Sequence, residues 1–359
     1  MRIRAERDDL VDVLSRAGRA VGVRSPMPIL QGVLVDVTGR SMRVTGTDLD
    51  VTVRTNLEVE VMEPGTTVIP ARLATEAVRK LPAGAVVLQA EAGEVEITGG
   101  GPRFRFREFN VEDFPKLSEP DLTGAVTVDG PTFAAAIAQV SVAASTDDAR
   151  PILTGVYFEN EGGKLRMATT DSYRLAVRDL PSVDAHMVGL VPVRALKELA
   201  RSVGANALKV AVGDREAAFS SDRGSLTARL IEGSFPNYRS LIPPSYPNRL
   251  VVGRDALLDA IDRASLVAED HIPIRMALQK GGIELSVTRQ DVGGETEHVE
   301  AEYSGDEMTI AFNSRYLNDG VGAIDTENVI LDVMDPLKPG VLRGEGSDDY
   351  LYLLMPVRL

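Results

Sequence analysis

The sequence predicts an α+β fold built from three repeated units, each with two helices packed on antiparallel sheet. Three observations predict it. The chain matches itself at a shift of 120 to 123 residues. Each unit contains two helix-length stretches with an apolar stripe, and between them lie short alternating segments bounded by glycine turns. Antiparallel strands with helices gathered on one face are the α+β arrangement, and self-similarity at a fixed period marks a repeat.

The elements follow in the same order in each copy. An amphipathic helix opens the unit: "ERDDLVDVLSRAGRAVG" (6–22), "DGPTFAAAIAQVSVAAS" (129–145) and "GRDALLDAIDRASLVAE" (253–269). A proline-led strand comes next, as "MPILQGVLVDV", "RPILTGVYFEN" and "IPIRMALQKGG". Its prolines, Pro28, Pro151 and Pro273, are spaced by 123 and 122 residues. "SMRVTG", "KLRMATT" and "IELSVTR" then read as strands after glycine-bearing hairpin turns. A further strand leads into the second helix at Arg72, Arg194 and Arg315. Each copy closes on an aromatic- or Met-Pro phrase: Phe114-Pro115, Phe235-Pro236 and Met355-Pro356. Two unrelated α/β folds would not keep both the order and the spacing. Pro- and Ser-bearing stretches at 116–124 and 241–249 read as exposed linkers. They divide the chain into domains at 1–121, 122–246 and 247–359.

A length of 359 residues suits two or three domains, and 44% hydrophobic with 26% charged residues is ordinary for a globular protein. With no cysteine there is neither a disulfide framework nor a thiolate metal site. The opening "MRIRAERDD" has no signal-peptide core, and no apolar run nears the ~20 residues of a membrane span. A cytoplasmic location is expected. The net charge of −14 speaks against a partner gripped through its phosphates, unless a basic stripe lies within the acidic total.

Projection at about 100° per residue supplies such stripes. In the second helix of the first unit, Leu73, Ala77, Val78 and Leu81 gather on one side, opposite Arg72, Glu76 and Arg79. In the second unit Leu196, Leu199, Ala200 and Val203 face away from Arg194, Lys197, Glu198 and Arg201. Both exposed faces are net positive. The third unit weakens the pattern, setting Arg315 against Asp319 and Asp325.

Enzyme signatures are missing: there is no phosphate-binding G-x-x-x-x-G-K-[ST] loop and no G-x-S-x-G elbow. His186, His271 and His298 stand apart, without ligand spacing. "GEGSDD" (344–349) reads as a hairpin loop, and "GGGPRFRFR" (99–107) as an edge strand alternating Phe104 and Phe106 with Arg103, Arg105 and Arg107.

The threefold unit, together with "TGTDLDV" at 45–51, "ATTDSYRLAV" at 168–177, "FPNYRSLIP" at 235–243 and the terminal "MPVRL", resembles the bacterial DNA polymerase III β subunit, the sliding clamp family. The similarity runs through all 359 residues. It implies three clamp-type domains per chain and a head-to-tail homodimer forming a six-domain ring around duplex DNA, with helices lining the hole. It implies no catalysis and no cofactor. The implied partners are the polymerase α subunit, a clamp loader and other proteins carrying a clamp-binding motif.

The resemblance also implies a partner-peptide groove. From the second unit it draws Leu153, Thr170, Ser172, Tyr173, Arg174 and Leu175, with Pro236, Ser240 and Leu241 from the closing phrase. From the third it draws Leu337, Pro339, Leu353, Met355, Pro356, Val357, Arg358 and Leu359. For DNA it implies Arg24, Arg72 and Arg194, and the basic faces add Arg79, Lys197 and Arg201. The chain departs from relatives at Tyr173 (histidine), Ser240 (a second arginine) and Asp147 (a polar residue). Two alternatives stay open: a clamp paralogue with a specialised role such as inhibitor tolerance, and a metal-dependent hydrolase or ligand-binding protein using Asp147, Asp148 and Asp171.

Overall fold

The computed structural model describes residues 1–22, 27–181, 183, 187–268 and 272–358. Residues 1–134 with 194–230 form one compact unit, and 135–193 with 231–359 form another, so the second repeat contributes to both.

The first repeat runs β1 (Arg2–Glu6), α1 (Arg7–Gly18), β2 (Gly32–Thr38), β3 (Ser41–Thr47), β4 (Val51–Glu58), β5 (Glu60–Glu63), β6 (Gly65–Pro70), α2 (Ala71–Lys80), β7 (Ala85–Glu91), β8 (Glu94–Thr98) and β9 (Arg103–Arg107). The second runs β10 (Val126–Asp129), α3 (Gly130–Ser141), β11 (Gly155–Glu161), β12 (Lys164–Thr170), β13 (Arg174–Leu180), β14 (Gly189–Pro192), α4 (Val193–Ser202), β15 (Ala207–Val212), β16 (Glu216–Ser221) and β17 (Gly224–Arg229). The third runs β18 (Asn248–Gly253), α5 (Arg254–Ser265), β19 (Ile274–Gln279), β20 (Gly282–Arg289), β21 (Gly293–Ser304), β22 (Met308–Phe312), α6 (Ser314–Gly322), β23 (Asn328–Val333), β24 (Gly340–Gly344) and β25 (Tyr350–Leu354). The predicted order of helices and strands holds in all three, but Pro28 and Pro151 open short 3-10 turns (Pro28–Gln31 and Pro151–Leu153) ahead of β2 and β11 rather than leading the strands themselves, since a proline has no N–H for a strand ladder.

In the first unit, period-2 alternation sends Val33, Val35 and Val37 of β2 inward, against Leu10, Leu14 and Ala17 of α1 and Ala74 and Val78 of α2. The helix lies so close that a Cβ on Gly46 of β3 would sit 2.0 Å from the Ala17 carbonyl oxygen, so only glycine fits there. One detail of the helical projection is corrected. Leu73 is 53% exposed, and the buried stripe of α2 is Ala71, Ala74, Ala77 and Val78. The 3.6-residue period centres the stripe on the small residues and leaves the one leucine on its flank.

The sheets do not stop at the repeats. The orders are β5-β1-β7-β8-β9 and β10-β15-β16-β17-β4-β3-β2-β6 in the first unit, and β14-β11-β12-β13-β25-β24-β23-β18-β21-β20-β19-β22 in the second. One rule makes both junctions: the last strand of a repeat pairs antiparallel with the fourth strand of the repeat before it. Thus β17 pairs with β4, Leu226 opposite Val53, and β25 pairs with β13, Leu353 opposite Leu175.

The rule leaves two strands without such a partner among the described residues. β9, the last strand of the first repeat, pairs with β8 alone. β21, which merges the fourth and fifth strands of the third repeat, pairs with β20 over 293–300 and turns to β18 only from Ala301.

The expected edge strand at 103–107 and the hairpin loop at 344–349 both appear. The linker at 116–124 has no helix or strand. The one expected at 241–249 is only partly an exposed connection. Ile242 and Tyr246 pack on the core beneath β13 and β25, and Asn248 already begins β18. Its apolar residues outweigh its proline punctuation. His186 and His271 lie outside the described residues; His298 sits on β21 opposite Glu284.

Candidate functional site

The turn from β12 to β13 is built by its own side chains. Asp171 Oδ1 accepts the amides of Tyr173 and Arg174 at 2.9 and 3.1 Å. Thr170 Oγ1 accepts the Ser172 amide at 3.1 Å and donates to the Arg174 carbonyl at 2.6 Å. Ser172 is held at φ 83°, an uncommon value for a residue other than glycine. The first repeat makes the same turn: Asp48 Oδ1 accepts from Asp50 and Val51, and Leu49 has φ 79°. The backbone is common to both repeats, and the chemistry differs. Where the first repeat places Asp50 and Val51, the second places Tyr173 and Arg174.

Arg174 is 6% exposed and bonded through two of its guanidinium nitrogens. Nε donates to Asp171 at 3.0 Å, and Nη1 donates to Asp319 of α6 at 2.5 Å and to the Tyr352 hydroxyl at 3.3 Å. Its guanidinium carbon lies 4.2 Å from the centre of the Tyr316 ring, which stacks with Tyr173 at 6.4 Å. Burial raises the pKa of Tyr352, so its hydroxyl stays protonated and donates to the Tyr316 carbonyl at 2.9 Å. With two carboxylates already on it, Arg174 is a fixed structural wall rather than a free cation. Removing one partner from such a buried group costs about 3–5 kcal/mol.

Beside this wall, Leu175 and Leu353 join Ala168, Val177, Tyr238 and Val341 in one apolar cluster. Above it stand Pro236, Ser240 and Leu241, all exposed, on the loop that Tyr238 pegs into that cluster. Arg150 reaches Ser172 Oγ at 3.5 Å, which brings the turn carrying the buried Leu153 alongside. Gly340 pairs with Leu354, so the half-buried Pro339 and the 70%-exposed Leu337 adjoin the end of β25.

Beyond β25 the chain leaves the sheet. The Met355 amide bonds the Tyr173 carbonyl at 2.9 Å, and the Val357 amide bonds the Ala311 carbonyl at 2.8 Å. Pro356 between them has no N–H to continue a ladder. Arg358 is exposed; Leu359 lies outside the described residues. These segments form a shallow surface with a leucine floor, exposed Tyr173, Leu241 and Met355, and polar edges. Apolar side chains with polar edges are the chemistry that an extended peptide with one or two apolar anchors requires.

The basic helix faces lie in the first unit. Arg72 pairs with Glu76 one turn on at 3.0 Å, its side chain 87% exposed. Arg79 donates to Ser15 Oγ at 3.2 Å, Arg194 pairs with Asp48 and, at 3.7 Å, with Asp50, and Arg201 pairs with Glu198. Lys197 is exposed on α4. Arg24 lies outside the described residues. An exposed i,i+4 pair is worth only about 0.3–0.5 kcal/mol, so Arg72 is only lightly held by Glu76. Such a face suits light, exchangeable contact.

Among the described residues no three His, Cys, Asp or Glu side chains gather as metal ligands. Asp147 instead pairs with Arg150 at 2.9 Å, and Asp171 with Arg174. Sequence reasoning did not place Tyr238, Tyr316, Asp319 or Tyr352 at the groove. Tyr238 stands inside the quoted "FPNYR" phrase and Tyr316 directly after Arg315, so both had a positional signal. Asp319 and Tyr352 are joined to Arg174 only by the fold.

Family models for the DNA polymerase III beta subunit match nearly the whole length: the N-terminal domain at residues 1–118, the central domain at 127–237 and the C-terminal domain at 239–358. The Beta sliding clamp of Streptomyces coelicolor is 34% identical, with 100% of both chains covered. A sliding clamp from Pseudomonas aeruginosa, solved bound to griselimycin, superposes with a TM-score of 0.94 at 28% identity over 100% of each chain. The beta sliding clamp of C. crescentus, solved with bound PEG, superposes at 0.93 with 29% identity, over 100% of this chain and 99% of that one.

Proposed function

Because the chain belongs to the DNA polymerase III beta subunits, the bacterial sliding clamps, we propose that two copies close head to tail around duplex DNA and hold the polymerase there. The chain is a non-catalytic processivity factor, and its three repeats, taken as domains 1–121, 122–246 and 247–359, become six in the ring. We place it in the cytoplasm, where replication proceeds; among the described residues no helix is long and apolar enough to cross a membrane.

The observation that carries ring closure is the junction rule. It is satisfied twice within the chain and leaves β9 and the first half of β21 open. A second copy satisfies it twice more, β9 of each chain on β21 of the other, and a twofold axis makes the two contacts identical. An unpaired edge is a liability that such pairing removes. The edges also suit each other in charge: β9 carries Arg103, Arg105 and Arg107 on its exposed face, and β21 carries Glu300 on its exposed face and Glu295 on the other, beside Glu297, which Arg263 already pairs. One Glu295 carboxylate oxygen is closed off from solvent without a partner, and burial, then neighbouring Glu297, pushes its pKa up. That edge favours an incoming cation. Leu266, 86% exposed just beyond α5, supplies apolar area nearby.

Closure lets the contact with DNA be weak. The duplex is retained by topology while the lightly paired Arg72, Arg79, Arg194, Lys197 and Arg201, with Arg24, meet its phosphates without reading sequence. The partner peptide seats in the groove between Tyr173–Leu175, the 236–241 loop and the C-terminal residues. Tethering then makes each rebinding of the polymerase intramolecular, so modest peptide affinity gives long residence. To admit DNA, a clamp loader must open the β9–β21 contact on one side of the ring.

Light scattering tests the assembly: at micromolar concentration the expected mass is that of two chains, and a monomer contradicts closure.

A further inference from the structure

The loop that carries Pro236, Ser240 and Leu241 is fastened to the sheet through one carboxylate. Tyr238 is 2% exposed, with its ring in the cluster that contains Leu175 and Leu353. Phe235 meets that ring edge-on at 6.0 Å and stacks on Tyr157 of β11 at 5.1 Å. The Tyr238 hydroxyl donates to Glu159 Oε1, and the same oxygen accepts from Arg239 Nη2 at 2.7 Å. Arg239 also reaches Glu161 at 2.9 Å, and its guanidinium lies 5.0 Å over the Tyr238 ring. Burial, then the bond to Glu159, pushes the Tyr238 pKa up, so the hydroxyl remains a donor. The Glu159 side chain is only 13% exposed. A carboxylate kept so far from water is costly unless fully bonded, and an apolar residue would pack there without that cost.

We propose that Glu159 is a positioning residue for the groove. By holding Tyr238 and Arg239 together it sets the distance of the Leu241 wall from the Leu175–Leu353 floor, without touching the bound peptide. Tyr238 belongs to both, its ring to the floor and its backbone to the wall, so a shift of this residue changes the groove's shape. The proposal rests on the reading of this surface as the peptide groove.

The test is equilibrium binding of the full chain to the cognate DNA polymerase III α subunit, with thermal unfolding recorded alongside. Glu159→Ala and Tyr238→Phe are each expected to weaken binding about tenfold, the scale of one lost charged hydrogen bond. Glu159→Gln keeps an acceptor for the tyrosine and is expected to restore affinity to within about threefold of wild type. Asp12→Asn cuts the ion pairs with Arg16 and Arg223 in the first unit (3.5 and 3.2 Å) and is expected to lower thermal stability while leaving affinity unchanged.

Wild-type affinity in Glu159→Ala and Tyr238→Phe overturns the proposal, as does a glutamine variant no better than alanine or an equal loss in Asp12→Asn. If Glu159→Ala does not fold, Tyr238→Phe and Glu159→Gln decide. Removal of residues 355–359 separates the two readings. If it leaves binding intact, the groove and the positioning role both fall; if it abolishes binding while the Glu159 variants do nothing, only the positioning role falls.

Discussion

Replacing Arg103 and Arg105 together with glutamate is expected to turn the dimer into monomers at micromolar concentration, raising its dissociation constant at least about a hundredfold. Both arginines lie on the exposed face of β9, where among the described residues their ion pair is the shared, solvent-accessible one with Glu96. Losing that pair costs the fold little. In the closed ring the same face meets the acidic strand β21, and like charges directly opposite one another across a ladder are destabilising. Because position 105 lies directly opposite Glu96 in the β8–β9 ladder, the double variant should unfold at a somewhat lower temperature while staying folded at about 25 °C, and it should sediment as a single chain. Adding Glu300→Arg, on the exposed face of β21, should restore part of the dimer affinity through the reversed pairing. An undiminished dimer in the first variant places the closing contact elsewhere.

Deleting residues 355–359 is expected to abolish binding of the polymerase α subunit, a loss of at least about a hundredfold, while the protein remains a dimer. A few central residues carry most of the energy of a peptide contact. This segment supplies Met355, Pro356 and Val357 after the end of β25, so its removal takes the anchors and leaves the strand. Leu353 and Leu354 keep their partners Leu175 and Arg174, so the junction of the second and third repeats stays intact. Unchanged affinity for the α subunit after the deletion would show that the groove is misplaced.

Much of this was legible in the sequence because the repeat is written in local signals. Prolines at a constant spacing, glycine turns and alternating strands fixed the element order three times over. Agreement between copies compensated for ambiguity in any one. The turn at Asp171 was visible as a motif for the same reason. What escaped is what depends on contacts far apart in the chain. The continuous sheets were hidden, since nothing in "GSLTAR" states that β17 will pair with β4. Leu73 was misjudged because a projection cannot tell the centre of a stripe from its flank when the centre is alanine. The engagement of Arg174 by Asp319 and Tyr352 joins residues 145 and 178 positions apart, beyond the reach of any pattern along the chain. The pairs of Arg72 with Glu76 and of Arg201 with Glu198 lie one turn apart on their own helices and were open to reading. Those of Arg194 with Asp48 and Asp50 appear only when α4 is folded against the β3–β4 turn. The basic faces are therefore milder than their composition suggests.

The central claim is retention by closure, and the most direct measurement is survival of the protein on DNA before and after the DNA is cut. Loaded by its clamp loader onto a nicked circular plasmid and separated by gel filtration, the protein should stay with the circle through a high-salt wash. Linearising the plasmid with a restriction enzyme should release it within minutes. Retention on the cut plasmid at the same salt, or loss from the intact circle, would mean that the duplex is held by adhesion, and a ring closed by β9 on β21 would be contradicted.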